Sequence, residues 1–147
     1  MTITVYGGRK QQRQLLENMA VWLSDELLGS RMSNNVDVDI ILRKFSHKEE
    51  KGFRGFMNIE DNNLRPRQFL IEIEKEQTDD DLMETLAHEM VHVKQDVRGQ
   101  TKERYRGGFK MYWMGEDHTN TPYRKQPWEK EAFSLEKRLV RRYKKSL

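Results

Sequence analysis

Five consecutive residues, His88-Glu89-Met90-Val91-His92, have the types and spacing to hold a metal ion and to work a water molecule against it. On an α-helix, residues four apart share one face, so both imidazoles can reach the same ion. Glu89 directly follows the first histidine. It is close enough to reach a metal-bound water yet turned away from ligation. With four histidines in 147 residues, roughly 0.008 such matches are expected by accident, which makes two unrelated core histidines the poorer reading.

The chain has no cysteine, so thiolate ligation and disulfides are excluded. A transition metal must then sit on His, Asp or Glu. A catalytic zinc site takes three protein ligands and leaves the fourth position to water. The third ligand must come from outside the motif. Downstream candidates are His118, Glu129 and Glu131, with Glu116 and Asp117 behind them.

The elements that would position these groups are legible. Thr78 can cap a helix whose first turn carries Asp79, Asp80 and Asp81, acids that suit the positive helix end. Leu82, Leu86, Met90, Val93 and Val97 then form one apolar stripe, and Gly99 closes the helix. A last helix starts at Pro127 and runs to about Lys145. At about 100° per residue, Trp128, Ala132, Leu135, Leu139 and Tyr143 cluster on one face, widened by Phe133 and Val140. Glu129 falls inside that apolar arc and Glu131 on the opposite flank. A carboxylate on a buried face needs a partner, and zinc would be one. A first-turn Glu stabilised only by the helix dipole is the alternative. Beside the histidine motif, Glu129 is the favoured third ligand.

Upstream, residues 2–6 fit a strand ended by Gly7-Gly8, and residues 9–28 fit a helix with Gly29 at its cap. Residues 30–35 read as a loop. Strands follow at 36–43, 52–59 and 69–74, the first and last alternating apolar and polar residues. Residues 100–126 read as irregular, apart from an aromatic stretch, Phe109 to Trp113, that fits a strand. The order predicts one α+β domain over 1–147, with an N-terminal helix and a small, mostly antiparallel sheet before the motif helix.

Charged residues make up 35% of the chain and the net charge is +3. Basic residues concentrate at Arg98 to Lys110 and again at Lys137 to Lys145, surfaces that can attract nucleic acid. At so small a net charge, a solvated helix face is the favoured reading. No window is apolar enough to span a bilayer, and the N-terminus carries no secretory pattern. The expectation is a cytoplasmic protein with no membrane partner.

The segment LAHEMVHVKQ at 86–95, together with PWEKEAF at 127–133, resembles minimal gluzincins and the SprT-like and ImmA-like metallopeptidases. Gluzincins take their third ligand from a Glu on a second helix, often within E-x-x-A. Glu129-Lys130-Glu131-Ala132 matches that pattern with Glu129 as the ligand. The resemblance implies a zincin-like fold, one zinc ion per chain on His88, His92 and Glu129, and a protein or peptide substrate laid along an edge strand from residues 36–74. It departs from the family where an Asp or Asn often follows the Glu ligand by four residues, a position held here by Phe133. SprT-like proteins use a third His, which keeps His118 open.

The expected chemistry is peptide hydrolysis, with Glu89 as general base toward a zinc-activated water. Tyr123 and Arg124 could reach the site as oxyanion donors, though surface loop residues are the favoured reading. Asp96 could orient a ligand histidine or be an ordinary exposed residue. His47 reads as surface, and Trp113 and Trp128 as core. The competing function is a non-catalytic metal-binding or regulatory domain, DNA-associated through its basic C-terminal helix. The intact Glu89 argues against it, because a purely structural site has no use for a general base.

Overall fold

Alternating apolar residues give strands β2 (Asp37–Arg43) and β4 (Gln68–Glu74) one dry face and one wet face. The dry side chains are Val38, Ile40 and Leu42 on β2 and Phe69, Ile71 and Ile73 on β4, all buried. Each contributes about 1.5–3 kcal/mol by leaving water. A computed structural model describes residues 1–147 and shows what covers them. Helix α1 (Lys10–Ser33) supplies Leu16, Met19, Ala20 and Leu23, and helix α2 (Asp79–Val97) supplies Leu82, Leu86, Met90 and Val93. Helix α3 (Pro127–Ser146) adds Ala132, Leu139, Val140 and Tyr143 to the same core.

The class is α+β, but the main sheet is not mostly antiparallel. Its order is β1-β2-β4-β3, with β1 at Thr2–Gly7 and β3 at Gly55–Ile59. The β1–β2 and β2–β4 pairs are parallel, and only β3–β4 is antiparallel. The physical reason lies in the connection. Between β1 and β2 the chain runs through α1, which carries it back across the sheet to enter β2 in the same direction. The alternating pattern reports that one face is covered; it carries no information about strand direction.

Helix α1 bends where the sequence expects an end. Gly29 has φ +77° and ψ 161°, a left-handed conformation that favours glycine. The expected loop at 30–35 is corrected in part, because a further helical turn runs to Ser33 before β2.

The stretch 100–126 is also more ordered than expected. It holds a second, antiparallel sheet of β5 (Thr101–Arg104), β6 (Lys110–Trp113) and β7 (Glu116–Asp117). A 3-10 turn at Tyr123–Lys125 then leads into α3. Strand β6 falls on the aromatic stretch expected as a strand; β5 and β7 carry mostly charged residues and join no part of the main core, so hydrophobic periodicity does not mark them. No helix is long and apolar enough to cross a membrane.

Candidate metal centre

The capped, amphipathic α2 fixes the two histidines. Thr78 Oγ1 accepts a hydrogen bond from the Asp81 backbone N–H at 3.2 Å, which anchors the first turn. With the leucine and valine stripe turned into the core, the neighbouring face presents His88 and His92, whose rings meet edge to face at 4.9 Å. Helix α3 packs across this face and delivers Glu129 from its first turn. Glu129 Oε1 lies 2.9 Å from His88 Nε2 and 3.0 Å from His92 Nε2. One ligand atom from each residue falls within 4.8 Å of the others, so the group could hold a metal ion.

The outer ring nitrogens decide what the inner ones can do. Gln95 Nε2 donates to the Trp128 carbonyl at 2.9 Å and to Glu131 Oε1 at 3.0 Å. Its carbonyl oxygen therefore faces His92, and His92 Nδ1 donates to it at 2.8 Å. His88 Nδ1 lies 3.0 Å from Glu136 Oε2, an acceptor-only carboxylate, and must donate as well. Both rings thus carry a proton on Nδ1 and turn Nε2 toward Glu129. Two neutral rings would aim two lone pairs at a carboxylate oxygen. That arrangement needs positive charge, supplied either by a proton on each Nε2 or by one cation between them.

The electrostatics agree. Burial disfavours a charged His88 ring, but the hydrogen bonds to Glu129 and Glu136 outweigh it and hold its pKa at about 9. His92 is raised in the same way, its burial overcome by Glu129 and Glu89. Burial pushes Glu129 up, yet the two histidines win and hold it at about 2. A divalent cation would replace those ring protons, since histidine must be neutral to ligate. Tetrahedral zinc ligation at about 2.0–2.1 Å spaces ligand atoms about 3.4 Å apart, so Glu129 Oε1 would need to move a few tenths of an ångström from each ring nitrogen. The donor set, two imidazoles and one carboxylate, suits zinc.

Glu89 is buried and lines the cleft that opens onto this group. Burial pushes its carboxyl pKa up, with His92 and His88 pulling the other way. The cleft has a volume of about 240 Å³. One wall is β3 and the residues before it, with Phe53, Phe56 and Met57 lining the cleft. The opposite wall is the second sheet, through Thr101, Glu103 and Met111. Gly55 lets β3 lie against α2. A Cβ there would sit 2.7 Å from Thr85 Cγ2, 3.2 Å from the Glu72 carbonyl oxygen and 3.4 Å from Glu89 Cγ.

Other sequence candidates fall elsewhere. His118 bonds Thr121 Oγ1 at 3.0 Å and packs edge-on to Trp128, outside the ligand group. Glu131 is taken up by Lys94 at 2.6 Å and by Gln95. The Glu116 side chain is 83% exposed, and Asp117 is exposed and bonded to Thr119. His47 is exposed, as expected. Asp96 is neither exposed nor a histidine partner. It is buried and accepts from Thr101 Oγ1 at 2.6 Å, tying β5 to α2, and burial raises its pKa to about 7 despite that bond. Trp128 is buried and also lines the cleft, and Trp113 is half-buried.

Two participants, Glu136 and Gln95, were not anticipated from the sequence. Glu136 takes the histidine-orienting place that Phe133 cannot, because Phe133 packs its ring on His88 at 4.6 Å. A signal existed: Glu136 is seven residues after Glu129 and so shares its helix face. Gln95, three residues after His92, holds that ring. Tyr123 is 49% exposed, in keeping with the surface reading, and also lines the cleft, while Arg124 is exposed and does not. Burial, then Glu129 and Glu89, push the Tyr123 hydroxyl pKa to about 12, so it stays protonated and able to donate. Comparison with known protein families, curated proteins and solved structures finds no match.

Proposed function

We propose that this protein is a zinc-dependent metallopeptidase of the gluzincin type, with a zincin-like arrangement around His88, His92 and Glu129. The observation that carries the reading is the pair of Nε2 atoms fixed by Glu136 and Gln95 on one carboxylate oxygen, with Glu89 buried beside them in an open cleft. A bound zinc ion would acidify a coordinated water and polarise a carbonyl.

The remaining chemistry belongs to the chain. Glu89, its proton affinity raised by burial, takes the proton of the attacking water and passes it to the leaving amine. Tyr123 donates its hydroxyl proton as a hydrogen bond to the developing oxyanion. An extended peptide adds to β3, which is an edge strand with one side unpaired. Phe53, Phe56 and Met57 give that edge an apolar surface for substrate side chains.

The test is cleavage of a mixed peptide library, read by mass spectrometry, with one zinc per chain. Wild type should cut, and Glu89→Gln should cut about 10²–10⁴-fold more slowly with zinc still bound. Equal rates in the two proteins would remove Glu89 from the mechanism.

A further inference from the structure

The two walls of the cleft differ in character. Phe53, Phe56 and Met57 make the β3 side apolar, while the second sheet brings Thr101 and Glu103, beside Asp96 from the last turn of α2. Asp96 follows His92 by four residues, so it stands about 6 Å further along the helix. Asp96 and Glu89 are the only buried acids of the chain, and both line this cleft. Glu89 has a task in the proposed mechanism. Asp96 has none.

The bond to Thr101 does not account for the charge on Asp96. Its Oδ1 accepts from Thr101 Oγ1 at 2.6 Å, a tie that an uncharged Asn would make as well. Its Oδ2 accepts no hydrogen bond and is open to the cleft. No Lys or Arg lines the cleft, and none of the ion pairs of the chain takes in Asp96 or Glu103. The two histidines are engaged with Glu129. Glu103 is exposed, and the Tyr105 hydroxyl donates to its Oε2 at 2.7 Å. The two acids repel each other: burial above all, and then Glu103, lift Asp96 to about 7 against the pull of Thr101 and His92. A buried carboxylate without a cation is expensive. One positive charge between Asp96 and Glu103 would relieve both the burial and the repulsion.

We infer that Asp96 and Glu103 form a subsite for a cationic substrate side chain, Lys or Arg, close to the scissile bond. An extended peptide advances about 3.3 Å per residue, so the offset from His92 corresponds to about two substrate residues. Met111 and Trp128, in the same lining, offer apolar surface to the aliphatic stem of such a side chain. A neutral side chain would leave the two carboxylates unpaired, and an acidic one would add a third. The inference rests on the peptidase reading only for what the cation is attached to. Recognition of the cation itself needs no cleavage.

The experiment has two arms. The first is binding of N-acetylated, C-amidated polyalanine hexapeptides carrying one central Lys, norleucine or Glu to the Glu89→Gln protein with zinc, read by tryptophan fluorescence. The Lys peptide should bind about 10-fold tighter than the norleucine peptide, with the Glu peptide weakest. Asp96→Asn, which keeps the acceptor for Thr101, should cut that preference about 10-fold, and the exposed Glu103→Gln about 2–5-fold. Glu103→Lys should turn the preference toward the Glu peptide. The second arm is cleavage of an N-acetylated peptide library by the zinc-loaded wild type, which should place Lys or Arg at one fixed distance from the cut. Equal binding of the Lys and norleucine peptides overturns the subsite, as does a Lys preference that survives both Asp96→Asn and Glu103→Gln, or cleavage indifferent to Lys and Arg. Binding of an unacetylated norleucine peptide as tight as that of the acetylated Lys peptide would overturn the side-chain assignment in favour of an α-amine. Lys-selective binding with no cleavage in the second arm upholds the subsite and removes the peptidase reading instead.

Discussion

Raising the pH of the metal-free protein from 7 to 9 should destabilise it, and zinc should abolish that loss. The argument is a linkage one. His88 has a folded pKa of about 9, against about 6.5 in an unfolded chain. A raised histidine pKa means the folded state binds the proton more tightly. Its stabilisation is fully present below pH 6.5 and disappears as pH rises through 9. Asp96, raised to about 7, also loses its contribution with rising pH, but below that value. Above pH 7 the groups that lose stability with rising pH are His88, His92 and the buried Glu89, all raised in the folded state, and a Glu89→Gln background separates the histidines. Integrating from pH 7 to 9 gives a loss of about 2 kcal/mol from His88 alone. For a chain of 147 residues that corresponds to about 4–8 °C in melting temperature. His92, raised in the same direction, adds to it. Removing Glu136 as an acceptor, in Glu136→Gln, should shrink the loss. With one equivalent of zinc the ring protons are displaced, and the melting temperature should stay level or rise across the window. The assay is calorimetry or circular dichroism at closely spaced pH values. Metal-free stability that stays level or rises from pH 7 to 9 would refute the reasoning, as would an equal loss with zinc present.

Two further outcomes follow from the same geometry. Gln95→Ala removes the acceptor that orients His92 and should weaken zinc binding about 10–100-fold, measured by competition with a chromogenic chelator. Gly55→Ala places a Cβ 2.7 Å from Thr85 Cγ2 and should cost about 1–3 kcal/mol in denaturant unfolding while pushing β3 away from Glu89 and slowing cleavage.

How much of this could be read in advance depends on the kind of signal. The motif helix was legible because capping, stripe and spacing all point to the same segment: Thr78 bonds Asp81, and Leu82 to Val97 are buried as one face. Glu129 was legible because helical phase places it in the apolar arc. Glu136 shares a helix face with Glu129, and Gln95 with His92, but their contacts depend on where one helix crosses the other, which phase alone does not set. Strand direction in the main sheet was hidden, since Val38, Ile40 and Leu42 alternate identically in parallel and antiparallel pairings. Of the second sheet, β6 was legible in its aromatic stretch, but β5 was hidden for the opposite reason. Thr101 to Arg104 reads TKER, with one face in a cleft and the other in solvent, so no apolar period marks it.

The central claim is that His88, His92 and Glu129 form a metal site. It is tested most directly by zinc retained per chain after equilibration with a chelator of matched affinity, comparing wild type, Glu129→Ala and His118→Ala. Wild type and His118→Ala should hold one zinc each, and Glu129→Ala should lose it. Retention by Glu129→Ala with loss in His118→Ala would contradict the assignment and move the third ligand to the loop before α3.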